Sequence, residues 1–506
     1  VKSLAGAAAA ALIALSTVSA VPTHAADVVT TNGCVASVPE PGTTEPVSIC
    51  YSLFQPASAS ADTRVPLIFH SHGWGGSRTT KAADFAAWTD AGYGVLSFDQ
   101  RGWGESGGKA HVEHPDFEGQ DVQRLVDLVA GLDWVAMDAP GDPVIGAIGG
   151  SYGGGYQFVG AFSELRDRGA TRFNALAPEI TWWDLKQSLA PQGVPRSLWV
   201  TALYAVGGDA NTDTVNRGFA YGAATGEWSD GTVVPDSDLN AFFLKNGPAW
   251  HVSEGRKLDI PVLFGQGITD NLFNLNQGLK NFQNAITDGA RAKSIFVGYN
   301  GGHVLPAAFP TGVGQSGDPC STELGGSSFA ALTRKFFATA LKGEAPTLAG
   351  YGQYHLATAA GACVTVDSTV ADTDVPLSQI VTNVGPGAPQ QIKLADGPIS
   401  IAGTPVLDAA VTSLALDGRA FFALAVGTSA ADAKIVQNNM LPLHETGPVT
   451  TPTARSIELP AVAVDVPAGQ SLFLTVSPFS DMSFGHGSRV PGAIVLDHPV
   501  LHLPVR

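Results

Sequence analysis

Short apolar, β-branched runs alternate with stretches of helical spacing across residues 47–341, and this alternation limits the possible folds more than any other feature of the chain. The runs fall at 47–51, 65–69, 94–99, 144–148, 173–177, 261–264 and 294–297. Between them, the stretch 116–136 brings Val122, Leu125, Val126, Val129 and Leu132 onto one helical face, and 327–341 does the same with Phe329, Leu332, Phe336, Phe337 and Leu341. Strands that are apolar on both faces need helices on both sides, which predicts an α/β unit with a mostly parallel sheet over residues 26–346. Residues 181–258 break the rhythm. They carry Trp182, Trp183, Trp199, Trp228 and Trp250 with little strand pattern, and read as a helical insertion capping the C-terminal edge of the sheet. From residue 347 to 506 helical spacing stops, and runs at 406–416, 420–426, 456–464 and 471–476 are separated by Gly, Pro and Asp. That pattern predicts an all-β second domain, an antiparallel sandwich.

The charge balance narrows the partners. Lys and Arg total 28 against 45 Asp and Glu, a net −17, so a phosphate backbone would be repelled and nucleic acid is not an expected partner. Residues 1–25 run as one Lys, a continuous Ala/Leu/Ile stretch and then small residues, which reads as a secretory signal peptide. No later window approaches the roughly 20 apolar residues of a membrane span, so a secreted or cell-envelope protein without a span in its mature chain is expected. The four cysteines, Cys34, Cys50, Cys320 and Cys363, include no CxxC pair. In an exported chain an even number favours disulfides. Proximity in sequence suggests Cys34 with Cys50 and Cys320 with Cys363, although three pairings are formally open.

The chemistry is concentrated around Gly149-Gly150-Ser151-Tyr152-Gly153-Gly154, which follows an apolar run and precedes a helix rich in small residues. This is G-x-S-x-G in a strand–turn–helix setting, where glycines leave room for a serine lifted on a sharp turn. A serine hydroxyl needs an imidazole to take its proton and a carboxylate to orient that imidazole. Asp270 lies just past the run at 261–264, and His303 just past the run at 294–297, after the freely turning pair Gly301-Gly302. Asp288 lies inside a predicted helix and is the poorer acid. The order Ser, Asp, His is that of an α/β-hydrolase. An oxyanion needs two donors. The N–H of Tyr152 is the first, and Trp74, through its backbone or its indole, is the candidate for the second.

His70 and His72, with His111 and His114 further on, could instead ligate zinc, but no H-E-x-x-H motif or carboxylate cluster completes a metal shell. The His-Gly turn at 72–73 is accounted for by an oxyanion loop, and Asp99 and Arg101 are expected to tie down the loop after their strand. Taken with Ser151, Asp99-Gln100-Arg101-Gly102-Trp103-Gly104-Glu105-Ser106, Asp270-Asn271-Leu272-Phe273 and Gly302-His303, the chain resembles the serine α/β-hydrolases grouped around cocaine esterase and the Xaa-Pro dipeptidyl-peptidases. The resemblance implies a Ser151–His303–Asp270 triad, no metal or other cofactor, a helical cap and a C-terminal jelly roll. One departure is that related esterases place a tyrosine hydroxyl in the oxyanion hole where this chain has Trp74.

Two substrate classes follow from the resemblance, a small acyl ester or an Xaa-Pro peptide. A dipeptidyl-peptidase must pair its substrate's ammonium with a carboxylate, for which Glu179, Asp184 and Glu227 are candidates. The competing expectation is a non-catalytic surface protein with a relic hydrolase fold and a carbohydrate-binding jelly roll.

Overall fold

Each of the seven apolar runs forms a strand in the computed structural model, which describes residues 28–303, 318–384, 387–483, 487–488 and 492–506. The expected signal peptide at 1–25 lies outside the described residues. The central sheet has ten strands. In chain order they are β1 (Val29–Ser37), β2 (Val47–Gln55), β3 (Leu67–Ser71), β4 (Gly94–Phe98), β5 (Ile145–Gly150), β6 (Phe173–Glu179), β7 (Leu263–Gly267), β8 (Ile295–Tyr299), β9 (Tyr354–Ala357) and β10 (Cys363–Val366). They lie side by side as β1-β2-β4-β3-β5-β6-β7-β8-β9-β10. Pairing from β4 through β9 is parallel, while β2 runs antiparallel to both β1 and β4, and β10 antiparallel to β9. Strands β4 and β7 are buried along their whole length, because helices cover both faces.

Helix α1 (Glu118–Ala130) buries Val122, Leu125, Val126 and Val129, the face that its spacing predicts. Helix α2 (Tyr152–Arg168) begins directly after β5 and Ser151 and ends on Gly169 in the left-handed conformation. The stretch 181–258 holds α3 (Ser197–Gly207), α4 (Asp213–Thr225) and three short helices at Leu185–Leu189, Leu239–Phe242 and Pro248–Ser253. Its apolar core, including Trp182, Leu185, Trp199 and Phe219, is shared with Tyr152, Leu272 and Phe273 from loops at the sheet's C-terminal edge. The insertion therefore seals that edge. Helices α5 (Leu275–Asn284) and α6 (Phe329–Lys342) follow β7 and precede β9.

The expected domain boundary at 346/347 needs correction. Strands β9 and β10 lie beyond it yet extend the central sheet, and the second unit starts with the strand Thr373–Pro376. Both strands have only four residues, too few to stand out from a loop in sequence. Beyond them, strands pair antiparallel in two five-stranded sheets and one two-stranded pair, Ile399–Gly403 with Val462–Val466. One apolar core joins Leu407, Val411 and Leu496 of the first sheet with Phe422, Leu424 and Leu474 of the second, giving the β-rich C-terminal unit that the sequence predicts.

Both expected disulfides are present. Cys34–Cys50 joins a directly opposed pair on β1 and β2, and Cys320–Cys363 fastens the short helix Pro319–Glu323 to β10. Among the described residues no helix is long and apolar enough to cross a membrane. The β-rich unit is bonded to the rest of the molecule at several points. Asn276 of α5 donates to Glu458 Oε1 at 2.7 Å and to the carbonyl of Leu459 at 2.9 Å. Buried Arg419 donates to the carbonyl of Gly226 at 3.0 Å and to Glu227 at 2.8 Å.

Candidate active site

Ser151 sits between β5 and α2 with φ 59° and ψ −123°, a conformation that a side-chain-bearing residue adopts only under constraint. The flanking glycines explain how it is held. A Cβ on Gly149 would lie 2.5 Å from the carbonyl oxygen of Gly153, and one on Gly153 would lie 2.6 Å from that of Ser71. Neither position admits a side chain, so the strand can turn into the helix in one residue. The N–H of Ser151 donates to the carbonyl of Glu179 on the neighbouring β6 at 3.0 Å, pinning the turn to the sheet. The next residue, Tyr152, opens α2, where the first N–H groups have no partner within the helix and favour negative charge.

The loop after β3 passes over this turn. A Cβ on Gly73 would lie 4.0 Å from Ser151 Cβ, which brings the Gly73–Trp74 segment alongside the serine. The Trp74 ring packs edge-on against Trp103 at 4.8 Å and Tyr152 at 5.1 Å. Its indole N–H donates to the carbonyl of Leu203 on α3 at 3.1 Å. The indole is thus occupied in holding the insertion down, which leaves the backbone N–H as the donor that Trp74 could offer an oxyanion.

Asp270 is fully buried just beyond β7. Its Oδ1 accepts the N–H groups of Leu272 at 2.9 Å and Phe273 at 2.7 Å, and its Oδ2 accepts from His303 Nδ1 at 2.6 Å. Those bonds satisfy the carboxylate in place and put a proton on Nδ1 of the imidazole. The ring of His303 stands edge-on to Phe273 at 5.2 Å and Trp199 at 5.8 Å, and its carbonyl accepts the N–H of Asn271 at 2.9 Å. Phe273, whose ring stands edge-on to that of His303, also lines the cleft that holds Ser151.

That cleft encloses about 400 Å³ of empty space, part of it open to solvent. Apart from Ser151 and Tyr152 its wall is apolar, formed by Trp74, Trp182, Leu185, Leu203, Phe219 and Phe273 among others. The three carboxylates considered as partners for an ammonium do not line it among the described residues. Asp184 caps the helix Leu185–Leu189 through Oδ1, which accepts the N–H of Gln187 at 3.0 Å. Glu227 is bonded to Arg419. Glu179 accepts from the Tyr299 hydroxyl at 3.2 Å, and burial pushes its pKa up to about 7 against that hydrogen bond.

The histidines considered for zinc have other partners. His70 Nδ1 bonds Ser97 Oγ at 3.0 Å, His72 Nε2 accepts the N–H of Gln100 at 3.1 Å, and His111 Nε2 bonds Glu40 Oε2 at 2.7 Å. The N–H of Asp116 donates to His114 Nδ1 at 3.2 Å. Asp99 and Arg101 do brace the loop after β4, each with a partner of its own: Asp99 pairs with Arg78, and Arg101 with Asp121 at 2.6 Å and Glu40 at 3.0 Å.

Sequence reasoning did not find the residues behind the acid. Arg196 and Trp199 of the insertion donate to the carbonyl and the side chain of Asn271, at 2.7 and 2.8 Å, and Asn439 of the β-rich unit donates to the carbonyl of Asp270 at 2.7 Å. No motif surrounds them, and only the folded arrangement brings them to residues 270–271.

A family model described as X-Pro dipeptidyl-peptidase (S15 family) matches residues 46–304, just over half of the chain. Among solved structures the chain is similar to a CocE/NonD family hydrolase from Staphylococcus aureus, with 14% identity, a TM-score of 0.63 and coverage of 95% of this chain and 94% of that one. An alpha-amino acid ester hydrolase gives 13% identity and a TM-score of 0.62 over 94% of this chain and 97% of its own. At such identities the likeness concerns the fold. A curated relative, an uncharacterized 31.7 kDa protein of Escherichia coli, is 33% identical over 103 residues, which are 20% of this chain and 34% of that protein.

Proposed function

The chain belongs to the X-Pro dipeptidyl-peptidase (S15) family of hydrolases, and from that premise we propose that it is an exported serine hydrolase cleaving esters or amides through an acyl-Ser151 intermediate. In this reading His303 Nε2 takes the proton of the Ser151 hydroxyl as it attacks the substrate carbonyl. The tetrahedral oxyanion accepts hydrogen bonds from the N–H groups of Tyr152 and Trp74. His303 then protonates the leaving group, and a water activated by the same imidazole releases the acid. Asp270 stabilises the imidazolium. The observation that supports the reading is the 2.6 Å bond from His303 Nδ1 to a buried, otherwise satisfied Asp270, with Phe273 packed on that imidazole and lining the cleft of a serine on a strained turn.

The apolar cleft supports an uncharged acyl group over the ammonium-bearing end of a dipeptide, because a charge in such a wall would be left without a partner. Export is supported by the two disulfides, which persist in oxidising compartments. The test compares p-nitrophenyl butyrate with Ala-Pro-p-nitroanilide, in wild type and Ser151→Ala, alongside labelling by a fluorophosphonate. Turnover of the ester and labelling, both lost in the variant, are expected. Equal labelling of wild type and variant would overturn the acyl-serine reading, and preference for the anilide would overturn the ester assignment.

A further inference from the structure

We propose that Asn439, supplied by the β-rich unit, is a positioning residue for the acid of the triad, an inference that rests on the triad reading above. Asp270 can orient His303 only if its own peptide is held still, since its carboxylate bonds to the N–H groups of Leu272 and Phe273 make the segment 270–273 a single turn. The two carbonyls inside that turn, those of Asp270 and Asn271, are clamped separately. Asn439 Nδ2 donates to the first at 2.7 Å, and Arg196 Nη1 to the second at 2.7 Å. The two clamps touch each other, Arg196 Nη1 lying 3.4 Å from Asn439 Oδ1. Asn439 is only 3% exposed and Arg196 2%, so water does not readily replace either donor.

The delivery of Asn439 is built into the β-rich unit. It follows a single helical turn, Val436–Asn438, in which Gln437, a residue with a side chain, takes φ 56°. Gln437 is itself buried and donates to the carbonyl of Ala463 at 3.2 Å, which anchors the unfavourable turn to the body of its own unit. Strain of this kind persists where the surroundings over-determine it, and here the surroundings aim one amide at one carbonyl. The second unit therefore completes the support of the catalytic acid across 169 residues of sequence.

The experiment uses the full chain with p-nitrophenyl butyrate and two variants, Asn439→Ala and Asn439→Asp. The aspartate variant has the shape of the native side chain but presents an oxygen to the Asp270 carbonyl, so it tests the donor even if the alanine variant fails to fold. Expected is a fall in kcat of roughly 10- to 100-fold. KM should stay within about twofold of wild type, because the cleft wall is untouched. The fluorophosphonate labelling rate should fall in parallel, and the aspartate variant, whose carboxylate can still pair with Arg196, should stay folded by circular dichroism with a lowered thermal midpoint. A folded variant with wild-type kcat would overturn the proposal, as would a change in KM and thermal midpoint that accounts for the whole loss. Ser151→Ala run beside them separates the two readings: if it keeps wild-type turnover, the triad itself fails, whereas a dead Ser151→Ala with a fully active Asn439→Asp sinks only the positioning role.

Discussion

Gly302 and Asp270 meet so closely that a Cβ on the glycine would lie 2.6 Å from the Cβ of the aspartate. Gly302 also has φ 107°, outside the range of residues with side chains, so the chain can bring His303 back over Asp270 only through a glycine here. Gly302→Ala is expected to push the imidazole off the carboxylate and reduce kcat by about 100-fold, the size of effect that a displacement near 1 Å produces. Steady-state kinetics on p-nitrophenyl butyrate check it, and a variant with unchanged kcat would show that the segment tolerates the shift.

Strain at the serine makes a second prediction that separates activity from stability. With φ 59° and ψ −123°, Ser151 is in a conformation that glycine adopts with less penalty. Ser151→Gly should be inactive yet more stable than Ser151→Ala by about 1 kcal/mol. Chemical denaturation of the two variants gives the comparison, and equal midpoints would mean that the turn stores no strain at this residue.

How much of this was legible in the sequence follows from where each constraint resides. The strands on either side of the nucleophile were readable because buried parallel strands are apolar on both faces, as at 144–148 and 173–177. The turn was readable because Gly149 and Gly153 are required by contacts with nearby backbone, a need that leaves a local sequence mark. Asn439 and Arg196 left none, since a single buried amide or guanidinium looks the same in sequence whether it holds a catalytic loop or a remote one. The same limit applies to Trp74. Its place beside the serine could be anticipated, but the bond from its indole to Leu203 depends on how the insertion packs. Strands β9 and β10 escaped notice because four residues carry too little pattern.

The Trp74 bond predicts a division of labour within that residue. Trp74→Phe keeps an aromatic wall and the backbone N–H while removing the bond to the Leu203 carbonyl. Loss of that anchor, of the order of 1 kcal/mol, should loosen α3 over the cleft and raise KM several-fold. A change in kcat of less than about threefold is expected, because no transition-state donor has been removed. A kcat loss of 100-fold or more would instead return the indole to the oxyanion hole.

Glu179 provides a stability test that depends on pH. Burial raises its pKa from 4.5 to about 7, with Tyr299 opposing through its hydrogen bond and the charge of Asp318 adding to the rise. Below pH 4.5 the carboxyl is protonated both folded and unfolded, so the shift contributes nothing. As the pH rises from 4.5 towards 7 the unfolded chain ionises first, which favours unfolding, and above about 7 both forms are ionised and the loss levels off. The full effect is on the order of 3 kcal/mol. Glu179→Gln keeps an acceptor for the Tyr299 hydroxyl but cannot ionise, so it should match wild type near pH 4.5 and exceed it in stability at pH 8. Thermal midpoints of both proteins across that range decide the matter: a gap that opens with rising pH and then holds constant is expected, and two parallel curves would show that the carboxyl is not held in its neutral form by the fold.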